Sequence, residues 1–333
     1  MNDRTLLRLG NRHGFSLLIY KAIMNVAVMF VLLLGLVPVI LRQINPLLAS
    51  GCTGKEVLDQ LMQALPGQLR QITQRYSGWG YVLAVAISLL ILLIWRKPRG
   101  LSEVFRHKGR PMRPGRFCLL LTLFMSGQAL YQLAVQLLDW LLGYFHISYM
   151  EYLEHNAVST DYFGMFLYVC ILAPMFEELL FRGLILQSLM PAGKKFAILL
   201  SAVFFGLFHG SPLQAAFAAY TGLIMGYVAS EYHIVWAIAL HMINNWLFAH
   251  VLTRLLQLLP YGLGDVVLYG ILLAFFLAAL VIVVIKYRSM IAWWTREKLL
   301  SWQLKRYCFS PGMLVLSISC FADMALLVLL LFM

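Results

Sequence analysis

Residues 173–209 read APMFEELLFRGLILQSLMPAGKKFAILLSAVFFGLFH, and residues 241–245 read HMINN. Both stretches lie inside apolar runs, so Glu177, Glu178, Arg182, His209, His241 and Asn245 stand where the surrounding composition calls for lipid-soluble helix. A charged side chain at the bilayer centre costs roughly 2.5–3.5 kcal/mol on insertion scales, so such residues are as a rule paired and functional. Pro191, Gly193, Lys194 and Lys195 make a short basic turn that folds the two flanking segments into an antiparallel hairpin. Glu177 lies 16 residues before Gly193 and His209 lies 16 residues after it. At about 1.5 Å of rise per residue both sit roughly 24 Å from the turn and face each other at one depth. His241 and Asn245, four apart, share one face of a third helix. Three helices thus converge on one polar pocket.

Each piece also matches a motif. EELLFR (Glu177 to Arg182) resembles the EExxxR motif of the CAAX protease and bacteriocin-processing (CPBP or Abi) family of intramembrane proteases, relatives of the Rce1-type CAAX endopeptidases. FGLFH (Phe205 to His209) is similar to its FxxxH motif and HMINN to its HxxxN motif. The three occur in the family's order, each in a predicted membrane helix, over roughly Tyr162 to Leu256. The resemblance implies a glutamic-type endopeptidase that needs no cofactor, with Glu177 as general base on water, His209 as its partner, and His241 and Asn245 as oxyanion stabilisers. The residues themselves allow that chemistry. A carboxylate facing an imidazole can hold a water and take its proton, and His and Asn can donate to a developing oxyanion. Glu178 and Arg182, four apart, read as an ion pair that shapes the pocket, with Phe205 beside them.

Three other readings of the same residues stay open. The network can be packing glue, although two Glu, two His, an Arg and an Asn are expensive for that alone. Glu177, His209 and His241 can ligate zinc, and no HExxH motif decides the matter. A proton-coupled transporter uses the same residue types, but helices one to three are nearly bare of charge in their cores. For a protease the partner is a peptide or membrane-protein substrate: a prenylated CAAX-like tail, a bacteriocin or pheromone precursor, or another membrane protein. A bacteriocin self-immunity or scaffold role is the non-proteolytic alternative.

Composition sets the class. Of 333 residues, 62% are hydrophobic and only 12% charged, with a mean hydropathy of +0.81. Several runs reach the roughly 20 apolar residues that span a bilayer, so the expectation is an all-α, polytopic transmembrane bundle of eight or nine helices. The net charge of +12 would suit nucleic acid in a soluble chain. Here Lys and Arg cluster in short loops, where they act as topology signals and attract anionic lipid, and no nucleic-acid partner is expected. Arg4, Arg8 and Arg12 precede the first apolar run, about Leu17 to Leu41, and the loop from Arg96 to Arg116 is the most basic of all, including Lys97, Arg99 and Lys108. The positive-inside rule then puts the N-terminus in the cytoplasm, of a bacterial plasma membrane in this reading.

The chain divides into three blocks: 1–160 with membrane helices one to three, 161–256 as the protease core, and 257–333 with the last membrane helices and a basic, Trp-rich interfacial segment (Lys286 to Arg306, including Lys298). Lys21 is expected to snorkel from the first helix to the interface. Residues from about Arg42 to Ser77 are expected to form a loop. Leu58, Leu61, Met62, Leu65 and Leu69 make an amphipathic helix within it, lying on the membrane. The second helix is bracketed by Trp79 and Trp95, the third (about Phe117 to Phe145) can break near Ser126 and Gly127, and Pro174 should kink the fourth one turn before the glutamates. Ala215, Ala219, Gly222 and Gly226 form a small-residue stripe for close packing on the sixth. His233 is placed at the interface and His250 further along the seventh helix. The last run, Met313 to Met333, holds Asp323 in its middle. The five cysteines show neither a disulfide framework nor a zinc-thiolate pattern.

Overall fold

The computed structural model describes residues 1–50, 52–106, 109–156, 159–260, 262–296 and 299–332. Lys108 and Lys298, and the side chains of Trp95, Arg96, Lys97 and Arg99, lie outside the described residues. Among those described, the regular structure is all helical: α1 Asp3–Ala49, α2 Gly54–Val104, α3 Pro114–Gly143, α4 Tyr149–Asn156, α5 (residues 163–189), α6 Lys194–Leu207, α7 Pro212–Glu231, α8 Ile234–Gln257, α9 Leu263–Thr295, α10 Ser301–Cys308 and α11 Pro311–Leu331. Seven of these (α1, α2, α3, α7, α8, α9 and α11) are long and apolar enough to cross a membrane. The chain is an integral-membrane helical bundle. All nine apolar runs read from the sequence appear as helices. The two that fall outside the seven are α5, which changes winding along its length, and α6, which has 14 residues.

The first hairpin differs from expectation. Residues 42–77 are not a loop with a helix lying on the membrane; α1 and α2 run on through most of that stretch as one antiparallel hairpin. The periodic leucines do mark a helix, but it is the start of α2, with Val57 and Ile72 buried and Leu58 and Met62 exposed. Packing against a neighbour keeps such a segment helical where intrinsic propensity would not. The hairpin is tight: a Cβ on Gly80 would fall 2.6 Å from the Val28 Cα, and one on Gly35 would fall 2.9 Å from the Tyr76 ring. Likewise α2 carries the first part of the basic loop as helix, through Val104, and α9 carries the basic segment as far as Thr295. Only α10, with Trp302 exposed, remains of the expected interfacial element.

Ser126 and Gly127 do not break α3, which is continuous. They form a notch for Tyr220 of α7 instead. A Cβ on Gly127 would meet the Tyr220 ring at 2.8 Å, and the Ser126 and Tyr220 hydroxyls lie 2.9 Å apart. Lys21 does not snorkel either. Its ammonium pairs with the Asp323 carboxylate of α11 and donates to the Ser319 hydroxyl at 2.9 Å, joining the first and last helices across the bundle. A charge on each of two neighbouring helices is better satisfied by its opposite than by a stretched path to the interface. A Cβ on Gly14 would fall 2.1 Å from the Gly312 carbonyl carbon, so α1 and α11 touch backbone to backbone near their starts.

The core of the bundle is the hairpin of α6 and α7 packed against α5 and α8. Lys194 pairs with Glu231 at its base. Near its tip a Cβ on Gly206 would fall 2.5 Å from the Ala215 carbonyl oxygen and 2.9 Å from the Ala219 Cβ. Gly222 rests on Ala202, and Gly226 on Ile198, so the small-residue stripe is the surface on which α6 lies. Fourteen residues make about 21 Å of helix, short of a hydrocarbon core of about 30 Å. Phe208 to Ser211, with Gly210 at φ +69°, therefore turn at membrane depth, which irregular backbone tolerates only inside protein or beside a wet cavity.

The Lys21–Asp323 pair gives a first prediction. Lys21→Met or Asp323→Leu alone strands a charge and lowers the melting temperature in detergent by several degrees, whereas the double variant recovers most of the loss. Single variants as stable as wild type would refute an ion pair here.

Candidate active site

The local winding of α5 sets the site. Two π-helical stretches, Tyr168–Leu172 and Leu179–Leu186, flank one α-helical stretch, Ala173–Glu178, that carries both glutamates. The Ala173 N–H bonds to the Tyr168 carbonyl, five residues back, and Pro174 has no N–H to give. The Val169 carbonyl is thereby left without a donor from its own helix. Asn245 of α8 supplies one, its Nδ2 donating to Val169 O at 3.0 Å. Proline does disturb the helix one turn before the glutamates, as the sequence suggests, and the disturbance is π-winding, which recurs at functional sites.

Glu178 and Arg182 are both fully buried, and Arg182 Nη1 donates to Glu178 Oε1 at 2.7 Å. Arg182 Nη2 donates to the Gly222 carbonyl at 3.2 Å, where the missing side chain lets the guanidinium approach α7. The guanidinium carbon also stands 4.3 Å from the centre of the Phe205 ring, a cation–π contact that puts Phe205 against the pair. The same Glu178 Oε1 is 3.2 Å from His241 Nδ1, so Glu178 ties α5 to α8. His241 Nε2 then points towards Glu177, 3.9 Å from Oε2. Phe205 meets the rings of His209 and His241 edge-on, at centroid distances of 4.8 and 5.7 Å, and so holds both imidazoles.

A cavity of about 240 Å³ opens between these helices. Glu177, His209, His241, Asn244 and Asn245 line it, with Phe205 and Tyr168. Glu177 keeps 14% side-chain exposure while Glu178 beside it has none, so the two adjacent carboxylates have different surroundings: one faces the cavity and the other faces protein. His209 sits at the turn that ends α6, with Nδ1 2.8 Å from the Phe205 carbonyl. A ring held by Nδ1–H presents Nε2 elsewhere as an acceptor. About 18 Å of helix separate Glu177 from the basic turn that ends α5, which is roughly mid-bilayer. All seven residues singled out by sequence are therefore brought together. Glu177, Phe205, His209, His241 and Asn245 line the cavity, while Glu178 and Arg182 stand behind it.

Sequence reasoning passed over Gln128 and Asn244. Gln128 Nε2 donates to Asn244 Oδ1 at 2.8 Å, and Asn244 Nδ2 donates to Asn245 Oδ1 at 3.0 Å. The signals were present: a glutamine inside the apolar run of α3, and a second asparagine in HMINN. His233 and His250 lie elsewhere. His233 accepts from the Val235 N–H at the start of α8, and its Nε2 is 3.0 Å from the Phe105 carbonyl. His250 stands 3.1 Å from the Thr160 hydroxyl and against the Phe166 ring. Among the described residues, no three His, Cys, Asp or Glu side chains gather closely enough to hold a metal ion.

This arrangement has a known relative. Residues 159–247 match the protein family described as type II CAAX prenyl endopeptidase Rce1-like. The chain carries an Rce1-like domain. The match runs through α5, α6 and α7 and takes in His241 and Asn245 on α8, so every residue of the site described above except Gln128 lies within it. The matched segment lies within an integral-membrane helical bundle. No curated protein and no solved structure matches the chain.

The two glutamates should respond differently to substitution. Arg182→Leu leaves the Glu178 carboxylate buried without its partner, a loss of roughly 3–5 kcal/mol, and the protein should aggregate on extraction. Glu177→Gln should melt within a degree or two of wild type. Equal stability of the two variants, read by thermal scanning in detergent, would contradict the burial described here.

Proposed function

We propose that the chain is an intramembrane endopeptidase in which Glu177 activates a water for attack on a peptide carbonyl. The observation that carries this reading is that Glu177, His209, His241 and Asn245, from α5, the end of α6 and α8, line one cavity. A water held between the Glu177 carboxylate and His209 Nε2 loses its proton to Glu177 as its oxygen bonds to the carbonyl carbon. The carbonyl oxygen becomes the oxyanion, facing His241 and an amide proton of Asn245. The C–N bond then breaks, and the proton held by Glu177 passes to the leaving amine, giving a carboxylic acid and an amine. Glu178 and Arg182 hold His241 and the α7 backbone in place and take no part in proton transfer.

Polytopic burial of the site points to a substrate that reaches it from the membrane: a peptide tail carrying a lipid, a peptide precursor, or a segment of another membrane protein. The family of type II CAAX prenyl endopeptidases that residues 159–247 match favours a prenylated CAAX tail. Arg4, Arg8 and Arg12 in the first turns of α1 and the basic residues between α2 and α3 favour an orientation with the N-terminus in the cytoplasm, which places the α5–α6 turn on that side too. No cofactor enters this scheme.

The test is cleavage of fluorogenic membrane-segment and lipidated peptides by purified protein in detergent. Glu177→Gln and His209→Ala should lower turnover by 10²-fold or more, roughly the worth of a general base, while both variants insert and purify normally. A chelator should leave wild-type activity intact. Wild-type rates in the Glu177 variant would sink the mechanism, and activity lost to chelator and restored by zinc would move Glu177, His209 and His241 to a metal-ligand role.

A further inference from the structure

Behind the cavity runs a directional chain of amides. Gln128 of α3 donates through Nε2 to Asn244 Oδ1 at 2.8 Å, Asn244 donates through Nδ2 to Asn245 Oδ1 at 3.0 Å, and Asn245 donates through Nδ2 to Val169 O at 3.0 Å. A primary amide can turn over and exchange its oxygen for its nitrogen at little cost unless its partners forbid it. Here each partner forbids it. Val169 O can only accept, and it lacks a donor from its own helix because of the π turn and Pro174, so it requires the nitrogen of Asn245. Asn244 offers an N–H to the other end of that amide, so it requires the oxygen there. Gln128 holds Asn244 in that sense by donating to the oxygen left facing it.

We infer that Gln128 and Asn244 are positioning residues that lock the Asn245 amide with its nitrogen towards the reacting carbonyl. This rests on the proposed role of Asn245 as an oxyanion donor. Nδ2 carries two protons, and the bond to Val169 uses one, so the second is aimed by the geometry of the first. With the amide reversed, an oxygen would face the oxyanion and oppose the charge that forms there. Because Gln128 belongs to α3, outside the segment of family resemblance, the lock also ties the flanking block of the chain to the active site.

The test separates donation from packing. Asn244→Asp keeps shape and size but, when ionised, can only accept, so it no longer donates to Asn245 Oδ1; when protonated, its O–H restores the donor. The variant should therefore show kcat reduced about tenfold near neutral pH with KM within twofold of wild type, and the ratio of variant to wild-type kcat should rise as pH falls. Glu177, His209 and His241 line the same cavity in both proteins, so whatever pH dependence they bring is common to the two and cancels in the ratio. Gln128→Leu, which alters no cavity-lining side chain, should lower kcat in the same direction without that pH dependence. A pH-independent ratio for Asn244→Asp, or wild-type kcat in Gln128→Leu while Asn245→Ala is inactive, overturns the inference and leaves the endopeptidase reading standing. Full activity in Asn245→Ala, with Glu177→Gln inactive, overturns both this inference and the role given to Asn245. If Asn244→Asp fails to purify, Gln128→Leu decides alone.

Discussion

The Glu178–Arg182 pair is the interaction on which the arrangement of the site depends. Two ionised groups with no exposure, on adjacent turns of one helix, are tolerable at membrane depth only if each finds the other and the remaining polar atoms find partners. The pair meets most of that condition by reaching outward, Arg182 Nη2 to the Gly222 carbonyl on α7 and Glu178 Oε1 to the His241 imidazole on α8, while Glu178 Oε2 and Arg182 Nε stay buried without a hydrogen bond. Three helices are thereby registered against one another by charge-assisted hydrogen bonds, where apolar packing against lipid-like neighbours would fix register poorly. Glu177 inherits its position from this. It is the preceding residue on the same turn, and pointing away from a neighbour turned into the protein leaves it facing the cavity.

The second constraint is on the backbone. At this depth every freed N–H or C=O needs a partner, so irregular winding has to be matched from outside the helix. The π turn and Pro174 free one carbonyl of α5, and Asn245 meets it. The turn after α6 ends inside the bundle, and the cavity and the last helix lie beside it; a Cβ on Gly210 would stand 3.6 Å from the Asp323 Cβ. The places where helix geometry fails are the places where the polar side chains stand, as expected where local rules give way to function.

Much of this was legible in the sequence because polar residues in apolar runs are rare and their spacing carries geometry. The turn at Pro191 to Lys195 and the separations of Glu177 and His209 from Gly193 predicted that both would meet, and both line one cavity. The four-residue spacings of His241 with Asn245 and of Glu178 with Arg182 placed each pair correctly. What was not legible depends on partners distant in the chain. Nothing near Lys21 announces Asp323, and nothing near Ser126 and Gly127 announces the Tyr220 ring, so one was read as a snorkelling lysine and the other as a break. The long α1–α2 hairpin was missed because the polarity of residues 42–77 resembles a loop, and only the two helices together supply the packing that keeps both wound. Gln128 and Asn244 went unremarked because an isolated amide gains meaning only from what it touches.

The most direct measurement of the central claim is isotopic. A cleavable peptide is turned over once by excess enzyme in ¹⁸O-labelled water, and both product and enzyme are examined by mass spectrometry. A Glu177-activated water predicts label in the new carboxyl of the product from the first turnover, and none in the Glu177 side chain. Label in Glu177 with an unlabelled first product would mean that the carboxylate attacks the carbonyl itself, and would contradict the account.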